Sequence, residues 1–395
     1  MKQFDVPNIY RSDLLSKIKE KRKEEDKLKK DYTPTLIEYG DLHIYLARHF
    51  GFCYGVENAI EIAFRTIEEN KGTRIFLLSE MIHNPKVNED LKKSGVIFLQ
   101  DTYGKQIISF DEITKDDIVI IPAFGTTLDI EKKLIDIGIN IEKYNTTCPF
   151  VEKVWNRSQQ IASKGYSIVI HGKPNHEETR ATFSHASQHI STIIINDMND
   201  AIRLAMYITN KLPEQEFYEE FEGKFSEQFD VKKDLQKIGV VNQTTQLASD
   251  TQAISDYLKN VMMNHYNLNL DSLSERFADT RDTLCYATND NQTAVVGMLE
   301  TEADLAIVVG GSNSSNTSHL VELCDAKLPT YFIDGQSKML SKEEIIQRNW
   351  KTKEESIVTN YLPNKTPLKI LVTSGASCPD AVVEKVIKKL VSFYN

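Results

Sequence analysis

Three cysteines in this chain stand at the same place in what reads as the same local unit. Cys53 is followed by YGVENAIEIAFRTIEEN, Cys148 by PFVEKVWNRSQQIASKG and Cys285 by YATNDNQTAVVGMLETE, each a segment patterned for a helix. An apolar strand comes next and ends in a polar tip. His83 lies 30 residues after Cys53, His176 lies 28 after Cys148, and Asn313 lies 28 after Cys285. One supersecondary unit used three times buries its apolar faces by packing against its copies, so this recurrence restricts the fold more than any other feature. The intervals between the cysteines, 95 and 137 residues, come close once the acidic segment EQEFYEEFEGKFSEQFD is set aside. With Phe217, Phe221, Phe225 and Phe229 spaced by four, that segment reads as an inserted amphipathic helix whose aromatic stripe packs on its own chain.

Between the cysteines the pattern alternates β then α. TRIFLLSE, DDIVIIPAFG, YSIVIHGKPNH, IGVVNQTT, ADLAIVVGGSNSSN and LKILVTSGASCP are apolar runs ending in polar or Gly-rich tips, and amphipathic stretches follow them. This predicts α/β layers with parallel strands, whose carboxyl ends are where ligands bind. At 395 residues, with 41% hydrophobic and 26% charged residues, the chain suits a soluble globular protein of two or three domains. No apolar run is long enough to span a membrane, and the N-terminus has no apolar signal core, so the expected location is the cytoplasm. A formal net charge of −10 argues against nucleic acid as a partner while leaving room for a local anion pocket. Residues 11–31, dense in both charge signs, read as a solvated helix or flexible extension.

Five cysteines, odd in number and without a C-x-x-C pair, make a poor disulfide framework. At a helix N-terminus the positive end of the macrodipole favours the metal-binding thiolate. Three such units around a pseudo-threefold axis would bring Cys53, Cys148 and Cys285 to one point, with the glycines beside Cys53 allowing a tight turn. Soft thiolates select zinc, copper(I) or an iron-sulfur cluster, and the absence of a neighbouring histidine at ligand spacing favours the cluster. Clusters normally take four thiolates, so three leave one iron with an open position. Cys378, in TSGASCPD, could supply a fourth and close the site, whereas Cys324 on an amphipathic pattern reads as buried packing.

The remaining tips read as an anion pocket. GGSNSSNTSHL presents Ser312, Asn313, Ser314, Ser315 and Asn316 at a strand-to-helix transition, where hydroxyls, amides and helix N–H groups hold phosphate oxygens. Gly375 and Ser377 repeat the arrangement, His83 and His176 stand on equivalent tips, and so many donors suit a diphosphate. Glu178 is the best-placed proton donor and Glu177 its rival, with Thr244 and Thr245 able to relay or orient.

GFCYGVENAI, HNPKVNEDLKKSGVIFL, NTTCPFVEKV, NHEETRAT, NQTT, DTLCYATNDNQ, NSSNTSHL and TSGASCPD resemble, in order, the motifs of the 4-hydroxy-3-methylbut-2-enyl diphosphate reductase (LytB/IspH) family over roughly residues 42–391. The resemblance implies a trefoil of three α/β domains with parallel-type sheets around a central 4Fe-4S cluster. It also implies reductive removal of the hydroxyl of an allylic diphosphate, the last step of the non-mevalonate isoprenoid pathway, with ferredoxin or flavodoxin as electron donor. Carried over by position, Cys53, Cys148 and Cys285 are the cluster ligands, and His83, His176, Ser314, Ser315, Asn316 and Ser377 the diphosphate contacts. Glu178 is the proton-delivering acid and Thr244 lies close to the substrate hydroxyl. The expected domains are 41–148, 149–284 with the insert at about 207–236, and 285–372, preceded by a charged extension at 1–40 and closed by a strand tip and helix at 373–395.

Two positions depart from the family pattern. In IPAFGTT, Phe124 stands where many members have histidine, with Thr126 or Thr127 as candidates to replace the lost donor; and Cys378 stands where alanine is usual, which favours a bystander role. Two other readings compete. One is a different three-cysteine iron-sulfur enzyme, such as a dehydratase or a quinolinate-synthase-like condensing enzyme. The other is a non-catalytic redox protein with a closed four-thiolate site.

Overall fold

The computed structural model describes residues 4–278 and 283–394; Asp282, the first residue of the DTLCYATNDNQ motif, lies outside them. The chain divides into two compact units, Met1–Glu68 with Ile82–Ser94 and Tyr286–Asn395, and Glu69–Met81 with Gly95–Cys285. Both are α/β, with mostly parallel sheets.

The first unit is built on a five-stranded sheet in the order Thr35–Tyr39, Leu42–Leu46, Leu368–Ser374, Leu305–Val309, Thr330–Ile333. The last four strands run parallel, as expected, and Thr35–Tyr39 adds an antiparallel edge. The turn at Gly40, with φ of +57°, is short enough to fold the chain straight back. Successive residues of LAIVV point to opposite faces. Leu305, Ile307 and Val309 join Leu42, Ile44, Ile370 and Val372 beneath helix Asp380–Ser392, whose Val383, Val386, Ile387 and Leu390 supply the covering stripe. Ala306, Val308 and Leu371 face the other way, against helices Tyr286–Met298 and Ser315–Asp325. Covered on both faces, these strands read as unbroken apolar runs, as central parallel strands do.

The N-terminal extension is packed rather than free. Ser12 caps helix Asp13–Glu25 by accepting from the Leu15 N–H at 3.0 Å. Phe4, Val6, Tyr10 and Leu15 are buried, Leu15 completely, within the core of the five-stranded sheet. Burial of a side chain of that size stabilises by about 1.5–3 kcal/mol. Most of the charged residues of the helix are exposed, Lys19 and Arg22 excepted, so composition reports chiefly the solvated side.

The second unit holds two three-stranded parallel sheets, Ile97–Phe98, Ile75–Leu77, Ile118–Ile120 and Thr192–Ile195, Ser167–His171, Ile238–Asn242. The latter is packed on both faces, Val169, Ile193 and Val240 to one core and Ile168, Ile170 and Val241 to the other. The acidic insert is not one long helix. Helix Glu214–Glu220 stops at Phe221, because the following turn carries Gly223 at φ +72° and Gln228 at φ +61°, conformations no helix continues through. The aromatic residues still meet: Phe217 lies 5.1 Å from Phe221, 5.6 Å from Phe225 and 5.4 Å from Phe229 between ring centroids, on the core of their own unit.

Candidate active site

In the first unit four chain tips are tied to one another by backbone contacts. Gly51, at φ +80°, turns the chain so that its N–H donates to Ser374 Oγ at 3.1 Å. Two residues on, the Cys53 N–H donates to the Ala376 carbonyl at 3.2 Å, and the Cys53 carbonyl accepts from Glu57 at 2.9 Å, placing the cysteine at the start of helix Tyr54–Glu69. Ser377 Oγ donates to the His83 carbonyl at 3.1 Å. The tip at Gly311 comes so near that a Cβ there would sit 2.2 Å from the same His83 carbonyl oxygen, so only glycine fits.

Asn316 completes the cluster. Its Oδ1 accepts from the Ala376 N–H at 2.9 Å, which fixes the amide and leaves Nδ2 buried without an acceptor among the described residues. A buried donor held in place with no protein partner is the mark of a ligand contact. Ser314 caps helix Ser315–Asp325, its Oγ accepting from Thr317 N–H at 3.2 Å and Thr317 Oγ1 at 2.9 Å, so its own hydroxyl proton is left to donate elsewhere. Cys53, His83, Ser314, Ser315, Asn316 and Ser377 are thus gathered at the strand tips of one unit.

The second unit gathers the other candidates. Cys148 begins helix Pro149–Ala162; its N–H donates to Ala123 at 2.9 Å, and its carbonyl accepts from Val151 and Glu152. The Cys285 N–H donates to the Thr244 carbonyl at 3.2 Å. Glu178, 1% exposed, accepts from the Thr244 N–H at 2.5 Å on Oε1 and from the Thr244 hydroxyl at 3.0 Å on Oε2. His176 caps helix Glu177–Ser187, its Nδ1 accepting from the Glu178 N–H at 3.2 Å; the ring proton therefore sits on Nε2, as a donor. Glu177, the rival acid, turns instead to Ser79 Oγ.

Electrostatics here differ from the expectation of a helix-stabilised thiolate. Burial pushes the Cys148 thiol up to about 11; the N–H groups of Phe150 and Val151 pull the other way but do not prevail, and the neighbouring charges of Cys285 and Glu178 add to the rise. Cys148, Cys285 and Glu178 are therefore electrostatic neighbours. Among the described residues no three or more His, Cys, Asp or Glu side chains stand ready-gathered as a metal site. What fits an iron-sulfur cluster is the donor chemistry: partly buried soft sulfurs at Cys53, Cys148 and Cys285, each directly ahead of a helix.

Cys378 is fully buried in the apolar core of the five-stranded sheet, its Sγ reaching the Pro379 carbonyl at 3.8 Å and the Ser374 side chain, with burial raising its pKa. Cys324 is equally buried in the opposite core and pushed up to about 12. Both behave as small hydrophobes.

Phe124 puts its ring edge-on to His176, 5.7 Å between centroids at 83°. Gly125 beside it, at φ +74°, is pressed against Trp155, where a Cβ would lie 2.6 Å from the indole. Trp155 in turn stacks on His185 at 3.7 Å. The position that lacks a polar donor is thus a packed aromatic wall for His176. Sequence reasoning also passed over Gln243, whose buried Oε1 accepts from Lys173 N–H, Thr179 Oγ1 and Gln246 Nε2, tying the His176 loop to the Thr244 tip. Its position inside NQTT was the available signal. Asn242 performs a similar service, accepting on Oδ1 from Thr283 N–H at 3.1 Å and Thr283 Oγ1 at 2.8 Å just ahead of Cys285.

A family model described as LytB protein matches residues 44–391. The chain is 39% identical over 352 residues to the 4-hydroxy-3-methylbut-2-enyl diphosphate reductase of a Picosynechococcus species, covering 89% of this chain and 84% of that protein. It is 36% identical over 389 residues to the enzyme of the same name from Microcystis aeruginosa, covering 98% and 91%. The solved structure of the E-1-hydroxy-2-methyl-but-2-enyl-4-diphosphate reductase from Plasmodium falciparum superposes with a TM-score of 0.61 at 25% identity, over 87% of this chain and 86% of that one.

Proposed function

The chain belongs to the LytB family of oxidoreductases, and from that premise we propose that it converts 4-hydroxy-3-methylbut-2-enyl diphosphate to isopentenyl and dimethylallyl diphosphates. The reaction breaks the allylic C–O bond, takes up two electrons and two protons, releases the oxygen as water and leaves one new C–H bond. A 4Fe-4S cluster held by Cys53, Cys148 and Cys285 would supply, when bound, the electrons and an open Lewis-acidic iron position for the hydroxyl. Because the folded chain holds Cys148 protonated, loading of the site would release protons.

The chain's own residues carry the rest. Ser314, Asn316 Nδ2 and the first N–H groups of helix Ser315–Asp325 would hold the diphosphate, joined by Ser315, Ser377, His83 and the Nε2–H of His176. The substrate hydroxyl would face Thr244; once Glu178 is protonated, its Oε2–H would donate to the Thr244 oxygen, reversing the bond seen here, and the Thr244 hydroxyl would pass its proton to the departing oxygen as it takes up the one from the carboxyl. Glu178 and Thr244 are themselves buried, which would shield that proton route from bulk water. Electrons would come from ferredoxin or flavodoxin in the cytoplasm.

The observation that carries this reading is the Glu178–Thr244 pair, doubly bonded and joined through the Thr244 carbonyl to Cys285. Its test is turnover by the anaerobically reconstituted protein given the allylic diphosphate and a one-electron reductant. Both isoprenoid diphosphates should form, only with reductant, and Glu178→Gln should keep ligand binding while lowering turnover by about 10²- to 10⁴-fold. Turnover without reductant, or near-normal rates in Glu178→Gln, would contradict it.

A further inference from the structure

The residues around Cys53 are met, one after another, by the N-terminal extension. Lys19 Nζ lies 4.4 Å above the Phe50 ring and pairs with both carboxylate oxygens of Asp380 at 2.7 Å. Gly51 passes directly beneath that ion pair: a Cβ there would meet Asp380 Oδ1 at 2.2 Å and Lys19 Nζ at 2.9 Å. Tyr10 sets its ring against Phe52 at 5.9 Å, anchored by its hydroxyl donating to Asp90 Oδ2 at 3.0 Å. Phe4 packs edge-on against Tyr54 at 4.8 Å, and Arg11 holds that turn of the extension closed by donating to the Phe4 and Val6 carbonyls.

We propose that residues 4–19 are a clamp on the first cysteine loop, and that Tyr10 and Lys19 are positioning residues that hold the Cys53 thiol in place for metal-cluster binding. The proposal rests on Cys53 being a cluster ligand, as argued above. Physically the clamp is a restriction of freedom. The loop 50–54 is also held by the Gly51 N–H on the Ser374 hydroxyl, by the bonds of Cys53 to Ala376 and Glu57, and by the Tyr54 N–H on the Tyr286 hydroxyl. The extension adds a cation on Phe50 and a ring on each of Phe52 and Tyr54. Asp380 matters doubly, since it is the first residue of helix Asp380–Ser392 and follows the Ser377 tip, so the same ion pair couples the Cys53 loop to a candidate diphosphate contact. Outer residues that orient metal ligands in this way change metal affinity by about 10- to 100-fold when removed.

The test compares Tyr10→Ala and Lys19→Met with the conservative Tyr10→Phe and Lys19→Arg, which keep the ring contact and the cation. Two readouts are needed: site-resolved alkylation of Cys53, Cys148 and Cys285 in the apoprotein, and the rate of iron loss to a chelator after anaerobic reconstitution. Tyr10→Ala and Lys19→Met should speed alkylation of Cys53 selectively and raise the rate of iron loss about 10- to 100-fold, while the conservative variants stay near the parent chain. Unchanged Cys53 reactivity, or equal acceleration at all three cysteines, would overturn the clamp. A parent chain that takes up no iron-sulfur cluster would instead refute the proposed function, and the alkylation arm would still decide the clamp.

Discussion

At single-residue resolution, the site depends on which polar groups have protein partners and which do not. Asn316 is pinned through its oxygen so that its nitrogen is left for a ligand, and Glu178 rather than Glu177 is the carboxylate that faces Thr244. Phe124 gives the most direct test of a departure from the family pattern. Its edge contact with His176 belongs to a class of aromatic pair worth about 0.5–1.5 kcal/mol. Phe124→Leu should therefore raise the KM for the diphosphate by about 2- to 10-fold with kcat little changed; an unchanged KM would mean that the ring does not orient His176. The candidate anion contacts and Thr244 were legible because each follows the carboxyl end of a strand, where an apolar run stops at a polar tip, and the cysteines because each stands directly ahead of a helix pattern. The partner of Phe124 was not, since two residues 52 positions apart give no local signal of contact.

For the elements, the strands and the helices after each cysteine follow from their periods, and the two surprises have identifiable causes. The aromatic spacing of the insert suggested one helix, but Gly223 and the left-handed Gln228 end it early while the rings still reach a common core. The extension hid its role because its buried residues are few and aperiodic, and its decisive contact, Lys19 to Asp380, spans 361 positions. The junction of extension and sheet also makes a pH prediction. Burial depresses His49 from 6.5 to about 4, its Nε2 has no hydrogen-bond partner among the described residues, and the Tyr32 ring of the extension lies 6.1 Å away. A depressed histidine means that the unfolded chain binds the proton more tightly, so stability is full above pH 6.5 and falls as the pH drops toward 4. Urea unfolding followed across that range should show the loss, and His49→Gln should flatten it; an equal slope in the variant would assign the loss elsewhere.

For the whole molecule, the chain carries a formal charge of −10, and none of the helices among its described residues is long and apolar enough to cross a membrane. Its candidate anion contacts stand at strand tips and its candidate thiols directly ahead of helices, a local grouping of donors that the net charge does not report. The central claim is that Cys53, Cys148 and Cys285 hold one 4Fe-4S cluster with a single iron left open to substrate. Electron paramagnetic resonance of the anaerobically reconstituted, reduced protein, recorded with and without the allylic diphosphate, tests it most directly. The account predicts the signal of one such cluster, reshaped when the ligand is added. A signal that the ligand leaves unchanged, or no cluster signal at all, would contradict it.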